Sequence, residues 1–114
     1  MAGPPDAPPA VVRAANEQLR TTFTGGKVIY SEWLLELDDD WRAEITKAVM
    51  EYTYFRQENP DDKHQVHCFG TFVVRNWLLV WKIDAFAPDG TPLGELADPA
   101  ASNRILTIKS IHEA

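Results

Sequence analysis

Residues 67–86 read HCFGTFVV-RN-WLLVWKIDAF, with the breaks placed after Val74 and after Asn76, and this stretch decides the fold. His67 to Arg75 and Trp77 to Phe86 are two extended runs rich in aromatic and β-branched residues, joined by a tight turn near Arg75-Asn76. In the second run Trp77, Leu79, Trp81, Ile83 and Ala85 fall on one face, because side chains alternate along a strand. The other face reads Leu78, Val80, Lys82, Asp84 and Phe86. Both faces are partly apolar, which is the pattern of a central strand.

Working outward, the 31 residues from Glu32 to Asp62 hold ten carboxylates (Glu32, Glu36, Asp38, Asp39, Asp40, Glu44, Glu51, Glu58, Asp61, Asp62) against Arg42, Lys47 and Arg56. Within them, Asp38-Asp39-Asp40 introduces the clearest helix of the chain. Trp41, Ile45, Ala48, Val49, Tyr52 and Phe55 form its apolar stripe, and acids at its start suit the helix dipole. Asn59-Pro60-Asp61-Asp62 should end it. Before it, Glu32 to Leu37 reads as a helical turn or a continued extended segment. Lys27 to Ser31 reads as a strand.

The first helix begins near Pro9, a tolerated first position. It continues through Val12, Ala15, Leu19 and Phe23 at helical spacing, and stops at Gly25-Gly26. That glycine pair is too short and too poorly followed to be a phosphate-binding loop. Residues 1–9 carry four of the eight prolines and read as a disordered tail, leaving 10–114 as one domain. Ala87 to Asn103 is a Pro/Gly/Asp loop, and Arg104 to Ile111 alternates as a last strand, with a helix as the alternative. The expected order is α-β-α-β-β-β. The expected class is α+β, an antiparallel sheet of three to four strands with two helices on one face. Trp41, Ile45, Val49 and Tyr52 should pack onto it through Trp77, Leu79, Trp81 and Ile83.

A chain of 114 residues with a 45% apolar and 25% charged composition can build one core unaided. Cys68 is the only cysteine, so no disulfide forms within the chain. The longest apolar run, Trp77 to Trp81, cannot span a bilayer, and a cytoplasmic protein without membrane contact is expected. The net charge of −6 is concentrated: Glu32 to Asp62 carries −7 and the remainder +1. Direct binding of nucleic acid is disfavoured, since phosphate contacts need Lys and Arg.

Several short motifs follow one another along the chain. The chain has Asn16, Leu19 and Arg20; Gly25, Gly26, Lys27 and Val28; and Phe55. Further on come His67, Phe69 and Gly70; Trp81, Lys82, Ile83 and Asp84; Asp98 and Pro99; and Arg104, Leu106, Thr107 and Ile108. Over residues 13 to 113 it resembles a small bacterial family of unknown function whose members share these motifs. The resemblance implies genes on chromosomes and on plasmid-like or phage-like elements, and no established activity. Cys68 stands where the family has Asp, Val66 where Glu is common, and Ala85-Phe86 where Tyr-Tyr is usual. Two carboxylates are thereby missing around the His-Asp-Phe-Gly segment.

His64, His67 and Cys68, with His112 distant, space poorly for a metal, and help from Asp61, Asp62 or Asp84 would be needed. No metal, cofactor or stoichiometric zinc is expected. Lys82 and Asp84 share a strand face and read as an ion pair with Arg104 as a candidate neighbour, in preference to a nuclease-type site. Cys68 beside His67 lacks the geometry of a thiol and its base.

The acidic segment has the strongest functional reading. The chain is expected to be a non-enzymatic interaction module whose contact residues are Glu32, Trp33, Glu36, Asp38, Asp39, Asp40 and Glu44. Its partner would be the basic surface of a nucleic-acid-binding protein, with carboxylates standing where phosphates would sit, as in inhibitors of host defence carried by mobile elements. The alternatives are a small metal-dependent hydrolase using His64, His67 and Asp84, and a subunit of a homodimer or larger oligomer.

Overall fold

The computed structural model describes residues 6–55 and 60–113. Helix α1 (Pro9–Thr22) leads into strand β1 (Lys27–Tyr30), the short helix α2 (Glu32–Leu35) and helix α3 (Asp39–Met50). Strands β2 (Phe69–Val74), β3 (Trp77–Phe86) and β4 (Asn103–Ser110) follow, with single 3₁₀ turns at Pro60–Asp62, Pro99–Ala101 and Ile111–Glu113.

The central hairpin forms as its sequence dictates. Arg75 and Asn76 both have positive φ, 51° and 67°, the mirror-image turn whose twist matches two antiparallel strands. Phe72 thereby pairs with Leu79, and Gly70 with Trp81. The sheet order is β1-β4-β3-β2, so β3 is indeed an inner strand.

The sheet is mixed, which corrects the antiparallel expectation. β4 runs antiparallel to β3, but β1 lies parallel to β4, with Val28 opposite Leu106 and Tyr30 opposite Ile108. Parallel neighbours need a long crossover, and α2, α3 and the β2–β3 hairpin together supply it. The close approach of the two strands requires Gly26: a Cβ there would lie 2.6 Å from the Arg104 carbonyl oxygen.

Three helices, not two, cover one face of the sheet. Val12 and Leu19 of α1, Leu34 of α2, and Ile45 and Val49 of α3 are fully buried with Leu79, Trp81, Leu106 and Ile108. α3 ends at Met50, short of the helix expected through Phe55. Arg20, buried on α1, donates from Nη1 to the carbonyls of Val49 (3.0 Å) and Met50 (3.2 Å), satisfying groups that a helix end leaves open. Tyr52 and Phe55 then pack on Trp81 from a non-helical segment, with ring centroids 5.4 and 6.3 Å away.

The opposite sheet face carries Val73, Leu78, Val80, Lys82, Asp84, Ile105, Thr107 and Lys109, with Val73 and Leu78 exposed and Val80 buried. Lys82 and Asp84 form the expected pair at 3.4 Å. Arg104 does not join them. Its register partner is Ala85, which puts it on the helix-covered face.

At the N-terminus, Asp6 bridges Ala97, and the Ala7 N–H donates to the Leu96 carbonyl at 2.7 Å. The proline-rich segment is thus tied to the 87–102 loop from Asp6 onward; its first five residues lie outside those described.

Candidate functional site

The acidic segment folds into a tight turn between α2 and α3. Asp38 caps α3 by accepting the Trp41 N–H at 2.8 Å. Arg42 reaches back from the first turn of α3 and donates to the carbonyls of Leu35 (2.9 Å) and Leu37 (2.6 Å). It also pairs with Asp39. The chain from Leu35 to Asp39 is therefore pinned by its own arginine.

All six expected carboxylates (Glu32, Glu36, Asp38, Asp39, Asp40, Glu44) are exposed. Internal partners occupy half of them: Asp38 as cap, Asp39 with Arg42, and Glu44 with Arg75 at 2.5 Å. Glu32, Glu36 and Asp40 form no ion pair among the described residues and point their charge outward. Leu35, 58% exposed, lies among them.

Trp33 is partly buried, not a free aromatic. It packs on Trp77 and Trp41 with centroids 4.9 and 6.0 Å apart, and Arg75 lies 5.2 Å above the Trp41 ring. This cluster fixes the acidic turn against the tip of the β2–β3 hairpin.

Around His67 the recurrent motif residues meet in a second polar region. Asn16 donates to the Val66 carbonyl (2.9 Å), and Arg20 pairs with Glu17 (2.8 Å). His67 Nδ1 lies 2.6 Å from Glu17, while its ring stacks on Phe55 at 3.6 Å between centroids. Burial pushes the Glu17 carboxyl up, but hydrogen bonds to His67 and Arg20 outweigh it and hold it below its ordinary value. Asp62, 4% exposed, accepts the N–H groups of Val66 and His67, both at 2.9 Å.

Cys68 turns away from His67, towards Asp62, with Sγ 3.5 Å from Oδ1. Burial, helped by the charges of Asp62 and Glu95, pushes its thiol far above the ordinary range. A nucleophilic thiolate is not supported there. His64 is exposed, His67 is engaged by Glu17, and Asp84 pairs with Lys82 on the far sheet face. The structure does not bring these three together as a hydrolytic site.

What it does bring together is Asp62, Cys68 and Glu95, with one ligand atom from each within 4.8 Å of the others. Glu95 had no signal in the sequence, because it lies in an aperiodic loop. A cavity of about 50 Å³ adjoins the group, lined by Cys68, Asp84, Glu95 and Arg104 among others.

No helix among the described residues is long and apolar enough to cross a membrane. No curated protein and no solved structure matches the chain. One family does, over residues 31–113, a span that holds the acidic turn, the His67 region and strands β2 to β4 but not the Asn16–Arg20 and Gly25–Val28 motifs. The chain therefore belongs to the family of proteins of unknown function designated DUF3768.

Proposed function

We propose that this chain is a protein-interaction module that presents the α2–α3 turn to a basic surface on its partner. The observation that carries the proposal is the pinning of that turn by Arg42 and Asp38. Glu32, Glu36 and Asp40 are displayed from a backbone that need not be ordered on binding, which lowers the entropic cost of association. Exposed Leu35 adds an apolar contact among the charges. In its sharper form the proposal makes the partner a nucleic-acid-handling protein whose Lys/Arg groove accepts carboxylates in place of phosphates, so that the chain acts as an inhibitor.

The test is affinity capture from a lysate of the source organism with the parent and a Glu32→Gln, Glu36→Gln, Asp40→Asn variant. These three side chains cap no helix and hold no ion pair among the described residues, so the fold should persist. The parent should retain a Lys/Arg-rich partner, and the variant should bind it at least about tenfold more weakly, or 1.4 kcal/mol. Equal retention would remove the acidic turn from the interface.

A second reading, the oligomer subunit, is favoured by the exposed hairpin end of the opposite sheet face. There the cross-strand pair Val73 and Leu78 is 63% and 45% exposed. Sedimentation equilibrium distinguishes the two readings, since only this one requires self-association.

A further inference from the structure

We propose that Asp62, Cys68 and Glu95 form a binding site for a zinc-class divalent cation, with Arg104 as its charge-balancing neighbour. Four observations lead there. The three ligand atoms already lie within 4.8 Å of one another, drawn from three separate segments. The Cys68 Sγ–Asp62 Oδ1 separation of 3.5 Å is close to the edge, about 3.6 Å, of a tetrahedron built with Zn–S and Zn–O bonds of about 2.3 and 2.1 Å. Glu95 keeps Oε2, and Arg104 keeps Nε, shielded from solvent without a hydrogen-bond partner among the described residues. Arg104 is only 5% exposed and lines the adjoining cavity with Cys68 and Glu95. Unpaired buried polar groups of this kind are costly unless something fills the space between them.

Charge balance explains why an arginine faces a cation site. The Asp62 and Glu95 carboxylates and a Cys68 thiolate bring three negative charges to a divalent ion, leaving −1. The Arg104 guanidinium, which also interacts with Asp98, offsets that remaining charge in part. Without the ion and with Cys68 as a thiol, the same group is left with −1 in a buried setting, which low-dielectric surroundings penalise. Binding takes the proton from Cys68: the S–H bond breaks, the sulfur–metal bond forms, and one proton leaves to solvent. The cavity of about 50 Å³ is lined by Cys68, Glu95 and Arg104 but not by Asp62, and it is large enough for a water, which needs about 10–15 Å³ of such space, on the Cys68–Glu95 side of the site. That water also offers Arg104 Nε–H the acceptor it lacks.

The donor set selects the metal. One thiolate with two carboxylates suits a borderline-soft tetrahedral ion such as Zn²⁺ better than Mg²⁺ or Ca²⁺, which take oxygen ligands alone. The ligands also define a role. Asp62 sits in the 3₁₀ turn before β2, Cys68 at the entry to β2 and Glu95 in the 87–102 loop. An ion between them would clip that loop to the edge of the core.

Cobalt makes the site visible. Because Cys68 is the only cysteine, a near-ultraviolet thiolate-to-cobalt charge-transfer band in the purified full chain reports this residue alone. Titration of the metal-stripped protein with Co²⁺ should saturate that band at one equivalent. Zn²⁺ should abolish the band by displacement, and its binding should raise the Tm. Cys68→Ser should remove the band, and Glu95→Gln should weaken Co²⁺ binding at least about tenfold, the lower bound for disturbing a metal shell. Glu95 is a partly exposed loop residue, so that variant stays folded and keeps the test decisive. Absence of the band in folded parent protein, or a band unaffected by Glu95→Gln, would overturn the assignment.

Discussion

The Tyr52 ring lies directly over Gly70: a Cβ on that glycine would fall 2.6 Å from Tyr52 Cζ and would collide with the Trp81 indole. The last aromatic residue of this group, Phe55, meets Tyr52 edge-on at 5.2 Å. Gly70 is therefore the floor on which the segment after α3 packs. Gly70→Ala should destabilise the protein by about 1–3 kcal/mol through overpacking. Trp81→Ala should cost about 3–5 kcal/mol through the cavity it leaves. Urea unfolding of both variants checks this, and a loss below about 1 kcal/mol for Trp81→Ala would contradict the core described above.

Much of this core was legible from residue patterns, and the exceptions have physical causes. The β2–β3 hairpin was readable because alternation and a two-residue turn are local signals. The placement of β1 against β4 was not, since parallel pairing between residues 78 apart leaves no mark in either strand. The end of α3 is not legible, because Tyr52 and Phe55 keep helical spacing while packing from a non-helical segment. At its end Arg20, 29 residues earlier in the chain, donates to the Val49 carbonyl, a contact with no local signal. The acidic turn was read from composition, but its trimming to Glu32, Glu36 and Asp40 depends on Arg42 and Arg75. No pattern announces those contacts.

Glu17 sets an acid limb of stability. Its carboxyl is held below the ordinary 4.5 in the folded chain by His67 and Arg20 against the opposing effect of burial. The stabilisation is therefore fully present above that value and is lost as pH falls through the lower folded-state value. Thermal unfolding followed from pH 7 to pH 3 should show a steeper decline in the parent than in Glu17→Gln. Parallel curves would remove Glu17 from the acid transition.

Cys68 should be unreactive in the metal-free folded protein. It is nearly buried, hydrogen-bonded to Asp62 and poor in thiolate. Labelling with a thiol-specific disulfide reagent at pH 8 should be at least about a hundredfold slower than in denaturant, as expected when reaction follows the thiolate fraction. Comparable rates in the two states would place the thiol at the surface.

Asp38 is the carboxylate of the acidic turn that caps a helix. Asp38→Ala should cost about 1 kcal/mol by removing the cap on Trp41 N–H. Glu36→Gln should change stability by less than about 0.5 kcal/mol, as surface substitutions do. Chemical denaturation of the two variants separates the scaffold of the turn from the charges it displays. Equal losses would show that Glu36 has a structural partner.

In the proposed function, outward carboxylates on a pinned turn guide a basic partner to this chain. The most direct test is the association rate between the chain and its captured partner as ionic strength rises. Charge-steered encounter is screened over a length of about 8 Å at physiological salt. The rate constant should therefore fall by at least about tenfold between low salt and 0.5 M, and the Glu32→Gln, Glu36→Gln, Asp40→Asn variant should lose most of that dependence. An association rate that is flat with salt in the parent, or a slope unchanged in the variant, would contradict the account.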